Sequence, residues 1–191
     1  MTKFEYLSAK WRAVTLLVFG RQRAALAVFD GMLARRPDDT YALASRAHLL
    51  TELGQTQPAL ADSRRLVALR AEHGSTWFNH GYMLEASELF DEAEAAFRRA
   101  TELSPQLDRA WYGLGLVLIR LQRYDEAVSA LKKNTELQPM SPYGWYQLAR
   151  VHVDREQPDE AVKIIRHLKG FEPKVAAQLE RETGLLVGQV S

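Results

Sequence analysis

From Asp108 to Leu137 apolar and polar residues follow a helical rhythm. Trp111, Leu114, Gly115, Leu118 and Leu121 fall at spacings of three and four, and Tyr124, Ala127, Val128 and Leu131 do the same. Such spacing puts each set on one stripe of an α-helix. The stretch therefore predicts two amphipathic helices joined by a tight turn. It also recurs. Trp77, Trp111 and Trp145 are 34 residues apart, as are Ala93, Ala127 and Ala161, and Pro105, Pro139 and Pro173. Three markers in one phase over three copies predict a tandem array of helix–turn–helix units.

Carried back along the chain, the step tiles it into five repeats, residues 6–39, 40–73, 74–107, 108–141 and 142–175. Residues 1–5 read as a lead-in. A short helix within 176–191 would cap the last repeat, with Val175, Ala176 and Leu179 on its apolar face, Glu180 and Arg181 on its wet one, and Gly184 and Gly188 at its frayed end. Helix starts are marked. Asp91-Glu92, Asp125-Glu126 and Asp159-Glu160 stand where carboxylates meet the positive end of a helix dipole. Pro58 and Pro158 fit a first helical turn, and Ser75 and Ser141 are candidate N-caps. Pro139 and Pro173 follow second helices and stop them. Gly81 and Gly115, inside first helices, cost about 1 kcal/mol each relative to Ala; close approach of two helix backbones is the expected compensation.

Trp, Leu and Gly on the first helix, Ala and an apolar residue on the second, and a closing Pro resemble the tetratricopeptide repeat family over residues 6–175. Repeat four carries Trp111, Leu114, Gly115, Leu118, Ala127, Leu131 and Pro139, repeat three Trp77, Gly81, Leu84, Ala93, Phe97, Ala100 and Pro105, and repeat five Trp145, Leu148, Ala149, Ala161, Ile165 and Pro173. Repeats one and two depart from the pattern. Repeat two has Leu43, Arg46 and Ala47 in place of Trp, Leu and Gly, and Ala71 in place of Pro; repeat one has Ala9, Arg12 and Ala13. The resemblance implies an all-α fold, a right-handed superhelical solenoid of about five helix–turn–helix repeats with a C-terminal capping helix. Residues 1–191 would form a single domain.

Composition narrows the function. Lys and Arg total 25 against 24 Asp and Glu, a net charge of +1, so no basic excess points to nucleic acid or an anionic membrane. There is no cysteine, which removes disulfides, thiolate metal sites and cysteine catalysis. Ala13 to Gly20 is apolar but far too short to span a bilayer, and it lacks the flanks of a secretory signal. The expected location is cytoplasmic.

No catalytic motif emerges. The five histidines, His48, His73, His80, His152 and His167, show no metal-binding spacing. His80 and His152 occupy core positions of the pattern and read as packing residues with one satisfied nitrogen. Gly113 and Gly115 lie in a helix pattern, not in a strand-to-helix turn. Neither an enzyme activity nor a cofactor nor a metal is expected.

The resemblance implies a concave groove lined by the first helices, at the second, fifth, ninth, twelfth and thirteenth positions of each repeat. Its candidate partner-binding residues here are Tyr41 and His48 in repeat two, Phe78 and Tyr82 in repeat three, Arg109, Tyr112, Leu116 and Arg120 in repeat four, and Tyr143, Tyr146 and Arg150 in repeat five. Phe78, Tyr112 and Tyr146 are one period apart and would form an aromatic ladder, with Arg109, Arg120 and Arg150 beside it; aromatics and arginine are enriched at binding hot spots. The arginines could instead be solvated or paired with Glu85 and Asp154. The Lys and Asn residues with which some relatives clamp a carboxyl terminus are missing in both frames, which place Val14 and Ser45, or Ala44 and His48, at key positions. The leading expectation is a non-catalytic adaptor that binds a peptide segment of another protein, with apolar anchors and some acidic character. Two alternatives stay open, a secretion-type chaperone and a self-assembling scaffold. Repeat one offers Leu7, Lys10, Val14, Leu17 and Val18, and its run Leu16 to Phe19 is a cap, a homo-oligomer surface or a docking surface.

Overall fold

The computed structural model describes residues 1–188. Among them are eleven α-helices and no strand. They are α1 (Lys3–Val18), α2 (Gln22–Arg35), α3 (Thr40–Glu52), α4 (Thr56–Leu69), α5 (Gly74–Ala86), α6 (Phe90–Leu103), α7 (Asp108–Arg120), α8 (Tyr124–Leu137), α9 (Pro142–Asp154), α10 (Pro158–Lys169) and α11 (Pro173–Thr183). The chain forms two compact parts, Met1–Ala96 and Phe97 onward, with the division inside α6. In the first, α1 packs on α2, α2 on α3, α3 on α4 and α4 on α5. In the second, α7 packs on α8, α8 on α9, α9 on α10, and α11 on both α9 and α10.

The sequence markers have concrete work. The indole nitrogens of Trp77, Trp111 and Trp145 donate to the carbonyls of Ala71, Pro105 and Pro139, six residues upstream, at 2.7, 2.9 and 2.8 Å. Each tryptophan thereby ties its helix to the turn that precedes it. Ala71 serves as well as proline because the acceptor is a backbone oxygen. A second 34-residue series lies in the turns within repeats. Gly20, Gly54, Glu88, Gln122 and Glu156 all have positive φ, between 57° and 71°. The residue after each closes the turn by donating to a carbonyl five residues back, as Arg123 N does to Leu118 O at 2.9 Å and Gln157 N to His152 O at 2.8 Å.

The core is built from the periodic apolar positions. Phe29, Phe97, Leu131 and Ile165, one step apart save for the second repeat, are at most 2% exposed. The glycine reading needs correction. A Cβ on Gly115 would come within 2.7 Å of Leu131 side-chain carbons, so the glycine makes room for a side chain and not for a second backbone. Gly113 likewise receives the Phe97 ring, and Gly144 the side chain of Asn134, whose amide donates to Asp108 O at 2.9 Å.

The ends differ from expectation. Residues 1–5 are not a lead-in, since α1 begins at Lys3. Thr2 Oγ1 accepts from Glu5 N at 3.2 Å and Thr2 N donates to Glu5 Oε2 at 2.7 Å, a reciprocal cap. Ser75 lies inside α5, whose N-cap is His73; Ser141 holds the N-cap place of α9 but makes no side-chain capping bond. The terminal helix starts at Pro173, one turn earlier than expected, because proline suits a first helical turn. It ends at Thr183, with Gly184 in the left-handed region at φ 72°. The chain then returns. Val187 is buried, its amide donates to Glu180 Oε1 at 2.7 Å, and Lys169 Nζ lies 2.8 Å from the same carboxylate. Glu180 is thus a tether for the tail and not part of a wet face. The last expected cap residues, 189–191, lie outside the described residues.

Candidate partner-binding surface

Within residues 1–96 the expected surface residues have different fates. Tyr41 packs edge-on against Phe29, with ring centroids 6.2 Å apart, and Lys10 Nζ stands 4.0 Å above its ring. Its half-buried ring is therefore part of the α2–α3 contact. His48 is exposed, with Nε2 3.3 Å from Glu52. Phe78 is half-buried, and Tyr82 is 46% exposed although it follows the buried Gly81.

Within residues 97–188 Arg109 and Arg120 are exposed, and Tyr112 and Leu116 are half-buried on α7. Tyr143 opens α9 at 70% exposure. Tyr146 and Arg150, one turn apart on α9, converge on Glu182 of α11. Tyr146 Oη donates to Glu182 Oε2 at 2.5 Å, and Arg150 Nη1 donates to the same oxygen at 3.0 Å and to Tyr146 Oη at 3.2 Å. Arg150 therefore pairs with Glu182 and not with the neighbouring Asp154. The hydrogen bond to the carboxylate raises the Tyr146 pKa, and the hydroxyl in turn lowers that of Glu182. Sequence reading missed this contact because it gave α11 no residue facing the first helices.

The buried histidines behave as packing residues. His80 Nδ1 lies 2.8 Å from Ser63 Oγ, and His152 Nδ1 lies 2.9 Å from Gln157 Oε1. Burial pulls the His80 pKa down. Among the described residues no group of three His, Cys, Asp or Glu side chains could hold a metal ion, and no helix is long and apolar enough to cross a membrane.

Sequence reading also missed an ion cluster. Arg46 Nε and Nη2 donate to the two oxygens of Asp62, both at 2.7 Å, while Nη1 donates to Asp30 Oδ1 at 2.7 Å. These bonds, that to Asp62 first, hold the guanidinium more firmly protonated. Asp62 is 5% exposed. The signal was in the sequence: repeat two departs from the pattern at both Arg46 and Asp62.

Comparison with known proteins agrees with this architecture. No curated protein matches the chain. Among solved structures, MamA from Desulfovibrio magneticus RS-1 is 21% identical with a TM-score of 0.80, covering 95% of this chain and 98% of its own. A thermophilic tetratricopeptide repeat protein from Thermus thermophilus, TTC0263, is 23% identical with a TM-score of 0.68, covering 94% and 99%. YrrB, described as having an unusual peptide-binding site, is 20% identical with a TM-score of 0.74, covering 88% of each chain. These likenesses bear on the fold, which is that of a tetratricopeptide solenoid. The sequence profile described as Tetratricopeptide repeat matches residues 44–108 and 84–142, together just over half of the chain. The chain belongs to the tetratricopeptide repeat family, whose fold serves protein–protein interaction.

Proposed function

We propose that this protein is a non-catalytic adaptor that works in the cytoplasm and binds an extended or helical segment of a partner protein along its first helices. The five repeats would act as one binding module. The observation that carries the reading is the Tyr146–Arg150–Glu182 cluster. A phenol and a guanidinium on one face of α9 already hold a carboxylate, which supports a partner with acidic side chains. Exposed aromatic anchors stand at the start of the same helix, where Tyr143 is 70% exposed, and on α5, where Tyr82 is 46% exposed. Tyrosine and arginine carry a disproportionate share of binding energy where they are desolvated by a partner. The test is selection from a random peptide library on the immobilised protein. Peptides retained by the wild type should be lost by Tyr112→Ala/Tyr146→Ala at equal helicity by circular dichroism. Equal retention would remove the groove assignment.

A second reading, self-association, has its own observation. On α1, Phe4, Leu7, Trp11, Val14 and Val18 follow alternating steps of three and four, opposite the core-facing Tyr6, Ala9, Ala13 and Leu16. Phe4, Trp11 and Val18 are 81%, 71% and 76% exposed. With Leu17 and Phe19 the patch presents on the order of 800 Å² of apolar surface, the share one partner gives to a standard interface. A second copy of this chain, offering the same seam, is its proposed occupant. A dimer by light scattering that Trp11→Glu converts to monomer is the expected result; a wild-type monomer at every concentration would exclude it.

A further inference from the structure

Helices α3, α4 and α5 enclose a cavity of about 80 Å³. Its origin lies in the repeat. At the place where other repeats bury Phe29, Phe97, Leu131 and Ile165, repeat two has Ser63. A serine fills far less space, and the vacated volume stays open. The inner wall is mixed: Ala44, Ala47, Leu66 and Met83 give most of it an apolar surface, and Ser63, Thr76 and His80, which are 2%, 6% and 8% exposed, add the polar part. The exposed rim comprises His48, Asn79 and Tyr82. His48 and Tyr82 hold the ninth, groove-facing position of their repeats, so the mouth opens on the face proposed to bind a partner.

The wall has hydrogen-bonding capacity to spare. Ser63 Oγ is engaged by Leu60 O and His80 Nδ1. His80 Nε2 and the Thr76 hydroxyl have no hydrogen-bond partner among the described residues. No unsatisfied side-chain atom there is sealed from solvent, and both residues line the cavity. No Asp, Glu, Lys or Arg lines it. A charged guest would leave water without a counter-charge, and a hydrocarbon guest would leave both groups unpaired. A carboxamide brings a donor and an acceptor together. It matches a hydroxyl in either role and an imidazole nitrogen in either tautomer. The volume suits a group of a few non-hydrogen atoms, since a water in the liquid takes about 30 Å³.

We propose that this cavity is a side-chain pocket for an uncharged amide, the Asn or Gln of a partner segment lying along α3 and α5. The proposal rests on the groove reading and deepens it by naming one anchor. Peptides selected from a random library on the wild-type chain should share an Asn or Gln. Replacing that residue by Ala should weaken binding to the wild type at least about tenfold, the scale of one buried hydrogen bond lost. The same replacement should change nothing on Ser63→Leu, which fills the cavity with the residue of repeat four. Thr76→Val removes only the hydroxyl at constant shape, so it keeps the test valid if the larger side chain disturbs folding; it should lower affinity for the Asn or Gln peptide alone. Peptides that share no amide, or that bind wild type, Ser63→Leu and Thr76→Val equally, overturn the pocket. If they are still lost by Tyr112→Ala/Tyr146→Ala, the groove stands without it. If no peptide is selected, both readings fall.

Discussion

Repeat two and repeat four have the same backbone plan and opposite interiors. Both pair a first helix of 13 residues with a second of 14. In repeat four the paired helices meet through Leu114, Ala130 and Leu131, all at most 3% exposed, with Gly115 making room for Leu131. The matching residues of repeat two are Arg46, Asp62, Ser63 and Ala47. Leucine against alanine has become arginine against aspartate. Glycine against leucine has become alanine against serine. The first exchange keeps the two positions matched as an ion pair, and the second leaves the cavity beside Ser63 open. In this chain the departure at Arg46 is explained by the one at Asp62, which faces it.

The comparison is broken most severely by undoing half a pair. Arg46→Leu gives repeat two the leucine of repeat four but strands Asp62, whose side chain is 7% exposed. A buried charge that loses its partner costs about 3–5 kcal/mol. The double variant Arg46→Leu/Asp62→Ala copies both residues of repeat four. It should recover wild-type stability or exceed it, since apolar replacement of a whole buried ion pair is neutral or favourable by about 1–4 kcal/mol. Asp30 is more than half exposed and tolerates release. Urea unfolding of the full chain measures both. A single variant as stable as the double would show that Asp62 does not depend on Arg46.

Legibility followed the same divide. Trp111, Leu114, Ala127 and Pro139 repeat at a fixed step, and that period gave the helices of repeat four directly. The all-α class and the packing role of His80 and His152 were equally readable, because a polar residue on an apolar stripe must find a hydrogen bond inside. The Arg46–Asp62–Asp30 cluster was not seen, since it joins three helices and shows only when two departures in one repeat are considered together. The same limit hid the serine pocket, where one small residue in α4 matters only through α5. Glu182 was out of reach for another reason. Its contact depends on α11 starting at Pro173, one turn ahead of the repeat phase, and a proline that ends one helix can equally open the next.

The polar side of the comparison should also titrate. His80 stands at the repeat position that Leu114 and Leu148 occupy in repeats four and five. Burial, reinforced by Arg64, lowers its folded-state pKa below the ordinary value of about 6.5. The unfolded chain then binds the proton more readily. Stability is fully present above about pH 6.5 and falls as pH drops toward the folded-state value. His80→Leu should flatten the thermal midpoint between about pH 5 and 7, above the range of the carboxylates. A variant with the same pH slope as the wild type would place the sensitivity elsewhere.

The smallest effect lies in the turns. Gly54 and Gln122 hold the same place in repeats two and four, with φ of 71° and 58°. A left-handed backbone costs a residue with a Cβ about 1–2 kcal/mol, and glycine nothing. Glycine in turn loosens the unfolded chain by about 0.4–1 kcal/mol. Gln122→Gly should therefore stabilise repeat four by a few tenths to about 1 kcal/mol, and Gly54→Gln should destabilise repeat two by a similar amount. The turn bond from Arg123 N to Leu118 O is backbone only, so neither change removes a hydrogen bond. Opposite shifts in the urea midpoint at constant slope are the expected result. Shifts of the same sign would mean that the glutamine side chain, and not the backbone angle, sets the energy of that turn.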